Sequence, residues 1–170
     1  MFIFFFFFLI FTEKITKRVQ YIFDLIFGGL LGIEFEITSK ADDFRQYEGI
    51  RINYSKTRFD DELFFRSADL LFETGIEGQE LNFFRREGKT KAFFPVYDND
   101  SVMPFDPFAA SFFLVTRYEE YLPFMKDRFG RFDADQSVSL DQGILDQPLV
   151  NFWAEEIKNI LAAEFPGIRF

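Results

Sequence analysis

The chain has 170 residues with no histidine and no cysteine, and its 28 acidic and 19 basic side chains give a formal net charge of −9. These absences exclude catalytic and metal sites that require imidazole or thiolate, and the acidic balance argues against nucleic acid and anionic membrane surfaces as partners. With 48% hydrophobic and 28% charged residues, the composition is typical of one folded domain spanning residues 1–170.

The first element is an apolar run from Phe2 to Phe11. We interpret it as a central strand of a parallel sheet, because such a strand is buried on both faces and reads as continuously apolar. The alternative is the core of a secretory signal. No basic residue precedes the run and no small-residue cleavage site follows it, so a cytoplasmic location is favoured and a secreted or periplasmic one stays open.

A helix follows, with Thr16 as its N-cap and Gly28 and Gly29 at its end. Its apolar residues recur at helical spacing and are expected to face the interior: Ile15, Val19, Ile22, Phe23 and Ile26. The glycine cluster lies between this helix and a strand predicted over residues 33–38. Phosphate-binding loops have the reverse order, strand before helix, so we expect a turn and no nucleotide cofactor.

The middle of the chain contains short elements. The pattern predicts a helix or turn at 42–47, a strand at 50–54, brief apolar patches at 63–65 and 70–72, and a strand at 92–96. Strands that alternate with helices indicate an α/β fold: a single layered domain with a mainly parallel sheet flanked by helices. It would be Rossmann-like or flavodoxin-like, but without a nucleotide motif.

A buried helix is predicted from Phe108, with Asp106 as N-cap and Pro107 in the first turn. Through Val115 it is apolar on nearly every side, which is typical of a helix in the middle of a fold. The pattern extends the helix into a charged end that Pro123 stops. Beyond it we expect a loop or hairpin at 128–140 that turns at Gly130. Pro148 then opens a last amphipathic helix that stops before Pro166, with Val150, Trp153, Ile157, Ile160 and Leu161 facing inward.

The charged end of this helix is the first candidate site: Arg117, Tyr118, Glu119 and Glu120. In the structural interpretation these side chains satisfy one another, with Arg117 and Glu120 three residues apart as an ion pair. In the functional interpretation they form a pocket for a glycan or a neighbouring domain, in which Arg117 donates, a glutamate accepts and Tyr118 supplies a stacking face.

The second candidate site is Asn53 and Tyr54, at the end of the strand predicted over residues 50–54. Ligands of layered α/β folds gather beyond the carboxyl ends of strands. The alternative interpretation is a turn with side-chain caps.

The run Met103–Phe124, MPFDPFAASFFLVTRYEEYLPF, resembles a segment in the N-terminal region of polysaccharide-deacetylase-like proteins of Bacteroidetes-type bacteria. Looser matches lie at residues 15–32, 49–55, 62–75 and 148–153. In that family a domain of unknown function precedes a NodB-type catalytic domain, whose metal site uses an aspartate and two histidines. The resemblance covers only the leading domain, and a chain without histidine lacks those ligands.

Three functions follow as expectations. The resemblance implies a non-catalytic accessory domain that packs against a deacetylase-type domain or presents glycan to it, with no metal or cofactor of its own. The first alternative is a free-standing carbohydrate-binding or protein-interaction module. The second is a small α/β enzyme that uses carboxylates and tyrosine, although no nucleophile and base lie at a useful spacing.

Overall fold

Four parallel strands form the sheet of the computed structural model, which describes residues 7–170. They are β1 (Phe8–Thr12), β2 (Phe35–Thr38), β3 (Ile50–Ser55) and β4 (Leu63–Arg66), in the order β2-β1-β3-β4. A doubly wound sheet of flavodoxin-like order begins in the same way, with β1 and β3 adjacent at the point where the winding reverses. The predicted α/β class with a parallel sheet is confirmed.

Five α-helices surround and extend the sheet. They are α1 (Lys17–Phe23), α2 (Ala41–Gln46), α3 (Pro107–Val115), α4 (Val138–Asp141) and α5 (Leu149–Glu164). A π-helical stretch, Asp24–Leu30, continues α1, and two 3-10 turns lie at Tyr118–Tyr121 and Ala134–Gln136. Within residues 7–170, the helices are too short or too polar to cross a membrane.

The predicted apolar strand is confirmed over Phe8–Thr12, where all five residues are buried; residues 2–6 of the prediction lie outside the described part of the chain. Burial on both faces explains why β1 carries no polar alternation. On one face the Phe108 ring packs at 5.1–5.5 Å from those of Phe23, Phe27, Tyr54 and Phe65. The other face is smaller and is covered by α2.

The helix after Thr16 begins as predicted, because the Thr16 hydroxyl accepts the Val19 N–H at 3.1 Å. Its predicted end is wrong. The chain passes through Gly28 and Gly29 as a π-helix, in which the Leu31 N–H bonds the Ile26 carbonyl five residues back. The left-handed residue that favours glycine is Gly32, at φ 66°.

Two further predictions need correction. Residues 92–96 form isolated bridges rather than a strand, since Phe94 has a φ of 59°, incompatible with an extended chain. The buried helix is confirmed with its Asp106 cap, but α3 ends at Val115. Arg117 adopts the left-handed conformation, φ 51°, so the following residues turn away as a separate 3-10 turn. The last helix is confirmed as α5.

Candidate functional site

Tyr118, the first residue after the left-handed Arg117, points into the protein and is 3% exposed. Its hydroxyl donates a hydrogen bond to the Glu77 carbonyl at 3.1 Å and accepts one from the Glu77 N–H at 3.0 Å. The Arg18 guanidinium lies 5.6 Å from the centre of its ring. A tyrosine enclosed in this way cannot offer a stacking face to a sugar, so that part of the predicted site is corrected.

Of the neighbouring charged residues, Glu119 is bonded to another segment of the protein, whereas Arg117 and Glu120 lie at the surface. Glu119 accepts hydrogen bonds from the Val138 N–H at 2.8 Å and the Ser137 hydroxyl at 3.3 Å, and so ties the turn to the start of α4. Arg117 and Glu120 form the expected ion pair at the surface, where their side chains are 70% and 31% exposed. Both groups are accessible because their side chains are exposed. An exposed ion pair contributes only about 0–1 kcal/mol to stability, so a binding partner can compete for either group.

Three large apolar side chains that follow this ion pair along the chain are exposed: Tyr121 (66%), Met125 (70%) and Phe129 (64%). We call them the hairpin surface. The Lys126–Phe132 bridge closes a hairpin that contains Phe129, Met125 directly precedes the bridge, and Tyr121 ends the 3-10 turn before it. Exposed aromatic and Met side chains are enriched at protein–protein interfaces.

The hairpin is held in one conformation by its own hydrogen bonds. The Gln136 side chain donates to the Met125 carbonyl at 2.7 Å and accepts the Met125 N–H at 2.9 Å. At the tip, Asp127 accepts the Arg131 N–H and pairs with the Arg131 guanidinium, which lowers the pKa of that carboxyl. A preorganised loop loses less entropy when a partner binds.

Asn53 is fully buried and therefore does not form the accessible site that the sequence predicts. Its amide donates to Glu62 at 2.7 Å and to the Thr57 carbonyl at 2.9 Å. Burial alone would raise the pKa of Glu62, but the bonds from Asn53 and from the Phe59 and Asp60 N–H groups outweigh it and lower the pKa. Asn53 thus holds the loop between β3 and β4 in place. This role resembles the alternative interpretation of Asn53, a turn with side-chain caps.

Tyr54 is also fully buried, and its hydroxyl donates to Asp106 Oδ2 at 2.7 Å. The same oxygen accepts the Ala68 N–H at 2.6 Å, while Oδ1 accepts the N–H groups of Phe108 and Ala109 at 2.9 Å each. Burial raises the pKa of Asp106, although these four bonds oppose the rise. Burial, followed by the charge of Asp106, raises the pKa of Tyr54 well above its usual value.

A polar cluster that the sequence prediction missed lies beyond the carboxyl ends of the strands. Lys56 follows β3, and its ammonium contacts Asp69 Oδ1 and the Ser67 carbonyl, both at 2.8 Å. Its backbone N–H donates to the Glu13 carboxylate at 2.8 Å. The hydroxyls of Thr12 and Ser67 are buried, and neither has a hydrogen-bond partner among the described residues. We call these five residues the carboxyl-edge cluster.

The signal for this cluster was present in the sequence. Thr12, Ser55 and Arg66 each end a strand, and a charged or hydroxyl residue comes next in each case. Only the parallel pairing of the strands shows that these positions share one edge. Within residues 7–170, no group of three or more Asp or Glu side chains is arranged to hold a metal ion.

A model of a family of unknown function, DUF7033, matches residues 8–166. No curated protein and no solved structure matches the chain.

Proposed function

From the premise that this chain belongs to the DUF7033 family, we propose that it is a non-catalytic accessory domain that binds a second protein domain through the hairpin surface. The supporting observation is the exposure of Phe129 on a hairpin, and of Met125 and Tyr121 just before it, where internal hydrogen bonds already order the hairpin. Large apolar side chains presented on a rigid support are the usual anchors of an interface.

The partner we propose is a deacetylase-type catalytic domain. Its identity rests on the resemblance of Met103–Phe124 to the leading domain of polysaccharide-deacetylase-like proteins. Tyr121 lies within this run and Met125 and Phe129 follow it along the chain, and Arg117 with Glu120 would form the polar rim of the contact. The catalytic metal and its ligands would belong entirely to the partner.

Titration calorimetry of the full chain against a separately purified deacetylase-type domain, taken from a relative that carries both, tests this proposal. We expect saturable binding that the double variant Met125→Ser, Phe129→Ser weakens at least about tenfold, equivalent to about 1.4 kcal/mol. The matched control is Tyr97→Ser, because Tyr97 is 94% exposed but lies outside the hairpin. Equal affinities for the double variant and the control would refute the assignment of the surface.

Glycan binding is the second candidate function, and the carboxyl-edge cluster favours it. Lys56 supplies a half-exposed cation, and Glu13 and Asp69 supply exposed carboxylates beyond the strand ends, whereas the hydroxyls of Thr12 and Ser67 are buried beneath them. Sugar hydroxyls both donate and accept hydrogen bonds, so they match such a mixed set. In this role the domain would hold glycan for the catalytic partner.

Titration of the chain with neutral oligosaccharides, followed by backbone amide shifts, tests the glycan candidate. Shifts should concentrate at Glu13, Lys56 and Asp69, and Lys56→Met should reduce binding while Lys126→Met, a control on the hairpin, should not. Shifts confined to other surfaces would remove this candidate. Deacetylation of an acetylated oligosaccharide by the purified chain with added divalent metal would refute the non-catalytic assignment altogether.

A further inference from the structure

Strand β2 is an open edge of the sheet. The Phe8 N–H donates to the Glu34 carbonyl at 3.3 Å, with Phe8 opposite Phe35 and Ile10 opposite Ile37. Alternate residues of a parallel strand bond the same neighbour, so the N–H and C=O groups of Phe35 and Ile37 point away from β1. Within residues 7–170, no strand pairs with this side of β2.

The opposite edge of the sheet is covered. There the Phe64 carbonyl of β4 accepts the Val102 N–H at 2.9 Å, and the Arg66 N–H donates to the Ser101 hydroxyl at 3.1 Å. The loop before α3 therefore uses the free groups of β4. The two edges differ in that only β2 keeps a row of unpaired backbone donors and acceptors among the described residues.

A cavity of about 540 Å³ runs between the β2 edge and α1. Ile33, Phe35 and Ile37 form its apolar floor, and Gln20 and Asp24 form its helical wall. Phe35 and Ile37 are half-buried rather than covered. A strand added beside β2 would direct every second side chain into this cavity, which is how sheet edges bind extended peptides.

The charges around the cavity favour a basic ligand. Both charged residues that line it, Asp24 and Glu34, are acidic and exposed. Glu36 adds an exposed carboxylate on the edge strand itself. A second copy of this chain would bring the same carboxylates to the contact and repel the first.

We propose that the β2 edge binds, by strand addition, an extended segment of a partner protein in which apolar residues alternate with lysine or arginine. The backbone of the segment pairs with Phe35 and Ile37, and its apolar side chains fill the cavity. Its cations lie on the other face of the sheet, beside Glu34 and Glu36, which alternate along the chain with Phe35 and Ile37. This site is separate from the hairpin surface, and it does not depend on the proposed function.

Titration of the isotope-labelled full chain with a synthetic peptide of alternating isoleucine and lysine tests the proposal. We expect amide shifts centred on Phe35 and Ile37 and slower hydrogen exchange at both amides. A peptide of the same sequence with N-methylated backbone on its pairing side should not bind, since it cannot donate to the edge. A version with glutamate in place of lysine should bind more weakly.

Two variants locate the contact. Ile37→Pro removes an N–H that β1 does not use, and edge strands tolerate proline, so the chain should fold but lose the peptide. The double variant Glu34→Gln, Glu36→Gln should weaken binding about 2- to 20-fold, whereas Glu164→Gln, an exposed acid on α5, should leave the affinity unchanged.

Several results would overturn the proposal. Absence of shifts at β2 in the unmodified chain would do so without reliance on any variant, as would equal binding of the lysine, glutamate and N-methylated peptides. Sedimentation that shows a dimer of the unliganded chain, dissociated by Ile37→Pro, would identify a second copy as the occupant instead.

Discussion

Substitution Tyr54→Phe probes the bond that joins β3 to the start of α3. It removes the hydroxyl that donates to Asp106 at 2.7 Å but keeps a ring of the same shape against Phe23, Phe72 and Phe108. Loss of a hydrogen bond to a charged group costs about 1.5–3 kcal/mol, and loss of one to a neutral group about 0.5–1.5 kcal/mol. The free energy of unfolding at neutral pH should therefore fall by about 1.5–3 kcal/mol.

This destabilisation should depend on pH in a defined direction. Burial raises the pKa of Asp106 in the folded protein, so the contribution of Asp106 to stability is greatest below its unfolded pKa of about 3.9 and is lost as pH rises through the folded pKa. The Tyr54 bond lowers that folded pKa, and its removal lets the pKa rise further. The cost of Tyr54→Phe should thus shrink, by about 1 kcal/mol, as pH falls from neutral towards 4 and Asp106 becomes neutral.

Urea unfolding followed by the fluorescence of Trp153, which is buried and is the single tryptophan, measures both effects. Tyr97→Phe is the matched control, since Tyr97 is 94% exposed and its loss of a hydroxyl should change stability by less than about 0.5 kcal/mol. The reasoning fails if Tyr54→Phe costs no more than this control. It also fails if the cost is the same at both ends of the pH range.

Two further predictions concern packing and turns. Phe108→Ala should lower the free energy of unfolding by about 3–5 kcal/mol, because the Phe108 ring contacts four buried aromatic rings. A loss below about 1 kcal/mol would contradict this, since it would mean that neighbouring side chains fill the cavity or that Phe108 is not central to the core. Gly130→Ala should destabilise the chain by about 1 kcal/mol, since its φ is 79°. Gly78→Ala, at a glycine without positive φ or close neighbours, should be neutral or slightly stabilising in the same urea assay.

Local signals predicted much of the fold. The Thr16 and Asp106 caps, the proline at the start of α3 and the apolar run of β1 each act within a few residues, and the structure confirms them. Two of the predictions that failed, the strand at 92–96 and the extension of the buried helix, depended on one backbone conformation each. Phe94 and Arg117 are non-glycine residues with positive φ, and no residue type in the sequence announces such a conformation.

The sequence predicted the candidate site less well than it predicted the fold. Asn53, Tyr54 and Tyr118 are polar and lie near strand or helix ends, so they were predicted to contact a ligand or partner. Tyr54 and Tyr118 instead satisfy partners distant along the chain, Asp106 and Glu77, while Asn53 is buried with its bonds to Thr57 and Glu62 in the following loop. Burial of this kind is a non-local property, because it depends on which segments pack together.

The sequence by itself determined that imidazole and thiolate chemistry is absent, that strands alternate with helices, and where the main helices begin, because composition and capping are properties of the chain or of a single turn. Only the tertiary structure decided that polar residues after three strands share one edge, that the hairpin surface is exposed, and that β2 is open beside an acidic cavity. Those features arise from strand order and register, which join residues far apart in the chain.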